Sequence, residues 1–315
     1  MKDLQCETIQ FPSADGRHTV SGYLYTVPGT TPRAVLQLSH GMCEYVQRYR
    51  PVAEWYAAHG IALAGNDHLG HGATAAGDYG HYGEKNGRRH LLDDLHTMNA
   101  QLHERLPGVP VIMYGHSMGS FYARWYAETW PESIHALILS GTAGPSVLNR
   151  MGWVLAGCIA AVRGPHFQSK LMVKLQTGNY CSRIPDATSR HAWLSRDAAQ
   201  VAAYEQDPQC GFAFTAGSYR EMLVVLCHIS SKQWAQNMNK DLPVLLLAGD
   251  GDPVGNYGAG VRAVWQMLGD AGVRDLTCQI WEGARHELHN EQNREEVFEY
   301  TLAWIEDRLP GMAKG

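Results

Sequence analysis

The chain has 315 residues, 45% of them hydrophobic, with 26 Lys and Arg against 31 Asp and Glu and a formal net charge of −5. That length fits one large domain carrying an insertion, or two small domains, with ample apolar material for a core. No Lys/Arg run concentrates charge, which excludes the electrostatic footprint of a nucleic-acid binder. The opening MKDLQCETIQ lacks the apolar stretch of a signal peptide. The longest apolar stretch, Met151 to Val162, is about 12 residues, short of the roughly 20 that cross a bilayer. Seven cysteines without a C-x-x-C pair read as free thiols in a reducing compartment, so a cytoplasmic location is expected.

Gln5–Phe11 and Val20–Val27 read as strands on either side of the turn Ala14-Asp15-Gly16. Ala34–Ser39 is a continuous apolar run, the pattern of a strand buried on both faces. Arg50–His59 reads as a helix stopped by Gly60, and Ile61–Gly65 as the next buried strand. Leu91–Leu106 has helical spacing, with Leu91, Leu95, Met98 and Leu102 on one face. Val109–Tyr114 reads as a strand, Ser117–Trp130 as a helix and Ile134–Ser140 as a strand. After a break come strand Pro243–Ala248, a helix near Ala259–Leu268, strand Leu276–Trp281 and helix Glu291–Arg308. Strands alternating with helices imply right-handed crossovers and a mostly parallel sheet.

The stretch from Thr142 to Gln236 breaks that rhythm and holds no strong buried-strand run. It reads as a helical cap inserted into the sheet domain, its last helix returning to the core. The expected division is a core first part (1–141), a cap (142–236) and a core second part (237–315).

Gly115-His116-Ser117-Met118-Gly119 lies between a buried strand and a helix. Glycines on both sides permit a strained turn that lifts the serine hydroxyl above the sheet at the helix N-terminus. The pattern alone is weak; its strand–turn–helix context gives it weight. A serine hydroxyl needs a base to take its proton, and the base needs an orienting acid. In this arrangement the acid precedes the histidine along the chain. Asp250 and Asp252 follow one strand end, and His286 follows the last strand. A reach from the strand-end loop favours Asp252 as the acid, leaving Asp250 as a turn residue beside glycine. His289 competes with His286 and is expected on a solvated loop or helix start. Two backbone N–H groups should receive the charge that develops on an acyl oxygen: Met118, after the nucleophile, and Met42, in the loop after Ser39-His40-Gly41. His40 itself reads as structural.

These residues carry a resemblance. His40-Gly41-Met42-Cys43-Glu44-Tyr45-Val46-Gln47-Arg48-Tyr49 is similar to the H-G-x-x-E-(H/Y)-x-x-R-Y segment of monoacylglycerol lipases and bacterial lysophospholipases. Asp67-His68-Leu69-Gly70-His71-Gly72 resembles their D-x-x-G-H-G, and Gly115–Gly119 their G-H-S-M-G. Asp252 stands where their G-(S/D)-x-D pattern has its acid, and Gly283-Ala284-Arg285-His286 resembles G-A-x-H. Tyr204, Asp207 and Pro208 resemble a Y-x-x-D-P segment late in their cap. Many members have a serine after the glycine matched by Gly72, where this chain has Ala73-Thr74. The resemblance implies an α/β-hydrolase fold with an eight-stranded, mostly parallel sheet and a helical cap. It also implies hydrolysis of acylglycerols or similar monoacyl esters without a cofactor.

Other readings carry less. His68, His71, His81 and His90 lie near Asp67 and Asp78, but no i, i+4 pair supports a metal site. Cys43 reads as a buried, inert thiol. Trp153, Val154, Leu155, Ile159 and Val162 make an apolar cap helix that either packs within the cap or gathers substrate from a lipid surface. Short-chain or aromatic carboxylesterase activity is the alternative function. A peptidase would need a cap carboxylate for the substrate amine, and a non-catalytic ligand-binding protein would not need Ser117, Asp252 and His286.

Overall fold

The computed structural model describes residues 4–308, apart from 84 and 186. Eight strands form one sheet: β1 (Gln5–Pro12), β2 (Thr19–Thr26), β3 (Ala34–Ser39), β4 (Ile61–Asn66), β5 (Val111–His116), β6 (Ala136–Ser140), β7 (Val244–Gly249) and β8 (Leu276–Trp281). Their order is β1-β2-β4-β3-β5-β6-β7-β8. β1 and β2 pair antiparallel, as do β2 and β4; the remaining neighbours are parallel. This is the α/β-hydrolase fold.

Helices α1 (Arg50–Ala58), α2 (Gly87–Arg105), α3 (Met118–Thr129), α9 (Ala259–Asp270) and α10 (Arg294–Glu306) alternate with the strands; between β6 and β7, in the segment that the sequence reading takes as the cap, lie α4 (Leu148–Arg163), α5 (Lys170–Thr177), α6 (Ala198–Gln206), α7 (Ala216–Ile229) and α8 (Lys232–Asn237). Alternate strand residues face opposite sides. Leu36, Leu38, Ile112, Ile138, Leu245 and Leu247 meet α1 and α10 on one side. Val35, Val111, Met113, Leu137, Leu139 and Leu246 meet α2, α3 and α9 on the other. Strands β3 to β7 are therefore buried throughout, which explains their unbroken apolar runs.

Most element bounds shift by one to four residues from the sequence reading. α2 starts at Gly87, because its first turn is polar and only later turns present the apolar face. β5 starts at Val111, since Pro110 cannot donate to the ladder. The last helix starts at Arg294, because Leu288–Asn290 winds as a separate 3₁₀ turn.

In the cap, Ser169, Asp197, Thr215 and Ser231 each accept from a backbone N–H of the following helix, which starts α5 to α8. Helix α4 packs against α7. Its inward face is narrow: Ala156 and Ala160 are buried, while Val147, Met151, Val154 and Val162 are 85%, 68%, 52% and 81% exposed. The buried Arg124 of α3 ties that segment to the sheet domain at two points, donating to Ala143 O at 3.0 Å and to Ile229 O, at the end of α7, at 2.6 Å. Trp234 of α8 lies under the same guanidinium, 4.2 Å from its ring centroid.

Candidate active site

Parallel strands end on one edge, and the register fixes which ends meet. Ser39 pairs with Gly115, His116 with Ser140, and Gly249 with Trp281. The loops that leave these ends form the crevice typical of open α/β sheets.

Ser117 occupies the turn between β5 and α3 with φ 51° and ψ −123°. A non-glycine residue in such a region costs about 1–3 kcal/mol and persists only where neighbours enforce it. Here Ser117 N donates to Ser140 O at 2.9 Å. A Cβ at Gly115 would lie 2.6 Å from Ser120 Cα, and one at Gly119 would overlap the Ser39 carbonyl. Both glycines are thus required by close approach. Ser117 is half-buried above the sheet, at the positive end of the α3 dipole.

The loop after β7 separates the two aspartates. Asp250 is exposed, and its Oδ1 accepts from Gly283 N at 2.6 Å. Asp252 is fully buried, and its Oδ1 accepts from Val254 N at 2.9 Å. The same Oδ1 lies 3.0 Å from His286 Nδ1. The two are within ion-pair distance, while the angle at Nδ1 lies outside hydrogen-bond geometry. His286 is buried beside Gly141, where a Cβ would lie 2.9 Å from its Cε1. Its ring centroid is 4.8 Å from that of His116, the neighbour of Ser117. His286 thus lies against Asp252 on one side and against the neighbour of Ser117 on the other. Burial disfavours the His286 imidazolium, but the Asp252 charge outweighs this, and its pKa is raised.

His289 does not lie on a solvated loop, as the sequence reading expected. It is buried on the 288–290 turn, stacked on Tyr49 at 4.4 Å and edge-on to His116 at 4.8 Å. Burial lowers its pKa to about 3.

Met118 begins α3, in the first turn where N–H groups have no helical acceptor. Met42 is half-buried in the loop after β3. Gly119, the residue after Met118, packs on Ser39 and His40, which sets the start of α3 against the beginning of the loop that carries Met42. Glu44 shapes that loop: its Oε1 accepts from Gly41 N at 2.5 Å and from Tyr49 OH at 2.8 Å. Arg48 joins Glu44 to Glu287, at 2.5 Å and 3.1 Å. Burial pushes Glu287 up, yet the Arg48 guanidinium overrides it and holds the carboxyl down to about 2. Burial pushes Glu44 up, against the pull of the same arginine. Sequence reading quoted Glu44 and Arg48 only as matching letters and missed Glu287. Their i, i+4 spacing was the available signal; nothing marked Glu287 as their partner.

The cap closes on the histidine loop. His286 N donates to Trp193 O at 3.3 Å and Glu287 N to Leu194 O at 2.7 Å. The Trp193 and His286 ring centroids are 4.9 Å apart.

The candidate metal histidines fall into separate neighbourhoods. His68 and His71 lie beside His40, with ring centroids 4.0 and 5.2 Å from it, and burial lowers the pKa of all three. His40 Nε2 accepts from His68 N at 3.0 Å, a structural bond. His81 stacks on His166, and His90 lies on α2. Asp67 accepts from Val46 N and Ala73 N, fastening the loop after β4. Glu44, Glu287 and His289 bring ligand atoms close together, but the Arg48 cation already bridges the two carboxylates. Cys43 is buried, and burial raises its thiol pKa. Cavities of about 680 and 630 Å³ open elsewhere; Ser117, Asp252 and His286 line neither.

A family profile described as serine aminopeptidase, S33, matches residues 30–293. The chain belongs to that family. Within and around this S33 family, it is 29% identical over 288 residues to a monoacylglycerol lipase of Mycolicibacterium smegmatis, covering 90% of this chain and 91% of that one. It is 25% identical over 308 residues to the monoglyceride lipase of Homo sapiens, covering 94% and 89%. Its structure matches that of a thermostable carboxyl esterase from Bacillus coagulans, solved with glycerol, at a TM-score of 0.90 and 30% identity, covering 98% of this chain and all of the other.

Proposed function

We propose that this S33-family enzyme hydrolyses carboxylic esters of monoacyl lipids, with Ser117 as nucleophile, His286 as base and Asp252 as its orienting acid. The observation that carries the reading is the buried Asp252–His286 pair beside the strained Ser117 turn. His286 takes the Ser117 proton as Oγ attacks the ester carbonyl. The N–H groups of Met42 and Met118 receive the oxyanion, each worth on the order of 3 kcal/mol. The tetrahedral species collapses, the protonated His286 gives its proton to the leaving alcohol, and an acyl group stays on Ser117. Water, deprotonated by His286, then releases the acid. No step calls for a metal or cofactor.

The family description names an aminopeptidase, and relatives name esters. A peptidase of this kind needs a free carboxylate for the substrate amine. Glu44 and Glu287 share the single Arg48, Asp252 faces His286, and in the cap Asp207 and Glu221 are already engaged by Tyr45 and Arg88, which favours the ester. A monoacyl substrate accords with the two lipase relatives and with the glycerol-bound esterase. The exposed apolar side of α4 supports transient contact with membranes or micelles. Among the described residues no helix is long and apolar enough to cross a membrane. The described cysteines are free, in keeping with a cytoplasmic, reducing setting.

The test is Ser117→Ala. It should remove ester hydrolysis by on the order of 10⁴-fold or more in kcat with the fold intact. A fluorophosphonate should label the wild type and leave the variant unlabelled; labelling of the variant moves the nucleophile to another serine.

A further inference from the structure

The Met42–Arg48 loop faces two ways. Glu44 and the Arg48–Glu287 pair anchor it to the core. Its other groups reach the cap. Met42 Sδ lies 3.2 Å from Gln176 Nε2, which donates to it. Cys43 has φ 59°, a left-handed position that glycine would occupy without strain. Its carbonyl accepts from Gly211 N at 3.2 Å, and its thiol donates to Phe212 O at 2.9 Å. Tyr45 OH donates to Asp207 Oδ2 at 2.7 Å. The Arg48 guanidinium sits 4.9 Å from the Tyr204 ring centroid. Five cap residues, four of them within 204–212, therefore hold four residues of the loop that begins at Met42.

The cap segment is itself preset. Asp207 Oδ1 accepts from Gln209 N at 2.8 Å, and Cys210 N donates to Asp207 O at 3.0 Å. One carboxylate thus folds the cap turn with one oxygen and holds the loop with the other. A left-handed cysteine is a conformation the surroundings must enforce, and here the enforcing bonds come from the cap.

We infer that Asp207, through Tyr45, and the cap carbonyl of Phe212, through Cys43, are positioning elements that set the Met42 N–H for the oxyanion, so that cap docking and oxyanion-hole assembly are one event. The inference rests on the ester-hydrolase reading above. It gives a physical role to Asp207, matched in the sequence only as part of a Y-x-x-D-P segment.

A displaced oxyanion donor raises the barrier for every ester alike, because it acts on the charge formed at the carbonyl. Tyr45→Phe and Asp207→Ala should each lower kcat about tenfold, with KM within about twofold, for nitrophenyl butyrate and decanoate equally. The second-order rate of fluorophosphonate labelling should fall by the same factor, since its phosphoryl oxygen uses the same hole. The double variant should be no worse than either single one. Asp207→Asn, which keeps an acceptor for the turn and a polar partner for Tyr45, should recover most of kcat. That rescue keeps the test informative if Asp207→Ala folds poorly. A fall in melting temperature with kcat and labelling unchanged would overturn the inference. So would a rise in KM alone, or an effect confined to the long ester. Absence of ester turnover and labelling in the wild type would instead overturn the underlying reading.

Discussion

Asp252 places its Oδ1 3.0 Å from His286 Nδ1 in a fully buried setting, while Asp250, two residues earlier, holds Gly283 from the surface. Two carboxylates on one loop therefore have separable duties. Asp252→Asn should disturb the histidine tautomer and cost on the order of 10³–10⁴-fold in kcat. Asp250→Asn keeps an acceptor for the Gly283 N–H and should cost no more than a few-fold. Kinetics of the two variants on one nitrophenyl ester decide it, and the opposite ranking would reassign the acid.

The raised pKa of His286 fixes the acid side of the pH profile. Burial alone would lower it, and the Asp252 charge lifts it above the ordinary value of 6.5. The base must be neutral to accept the Ser117 proton, so kcat/KM should be full above the raised pKa and fall as pH drops through it. The acid limb should therefore lie above 6.5. Asp252→Asn removes the lifting charge, so the limb of its residual activity should move down. A wild-type limb below 6.5 would contradict the pairing.

The sheet was legible because strands buried on both faces write unbroken apolar runs, as in Ala34–Ser39 and Pro243–Ala248. Ser117 was legible because its turn demands glycine at 115 and 119. The surroundings of His286 were not. His289 looks like a solvent residue by type, yet it is buried between Tyr49 and His116, which come from other elements. Glu287 follows His286 and looks like a surface acid; only its approach to Arg48, far away in sequence, makes it internal. Periodicity records which face of an element is apolar. It carries no trace of a buried charge whose partner arrives from another loop.

That ionic cluster predicts an uneven response to pH. Arg48→Met leaves Glu44 and Glu287 buried without their cation, a loss of about 3–5 kcal/mol. The stranded carboxyls then have folded pKa values raised above their unfolded value of 4.5, so the destabilisation is fully present above the raised values and shrinks as pH falls toward 4.5. Denaturant melts at pH 8 and pH 5.5 should show the larger deficit at pH 8. Adding Glu287→Gln to Arg48→Met should restore part of the stability at pH 8. A deficit that does not change with pH would mean that Arg48 acts through packing alone.

The acyl chain gives the sharpest test of the substrate. Each methylene buried from water is worth about 0.8 kcal/mol, or roughly fourfold in kcat/KM when the contact is realised in the transition state. Butyrate to decanoate adds six methylenes, so even partial burial should raise kcat/KM by about 10²-fold. A short pocket would instead give a maximum at two to four carbons and a fall beyond. We expect a preference for medium to long chains, with monoacylglycerols cleaved faster than triacylglycerols, because a cap tied to the core at Ala143 and Ile229 by Arg124 restricts bulky alcohols. The series must be run below the critical micelle concentration, so that aggregation cannot mimic selectivity. A parallel run with Met151→Glu and Val162→Glu separates pocket from surface. Both residues are exposed on α4, so turnover of dissolved esters should be unchanged, while binding to lipid vesicles should weaken. If vesicle binding is unaltered, α4 is not a lipid-facing surface. A profile peaking at four carbons or fewer, with no turnover of a monoacylglycerol, would assign the enzyme to short-chain esters and leave the roles of Ser117, Asp252 and His286 as they stand.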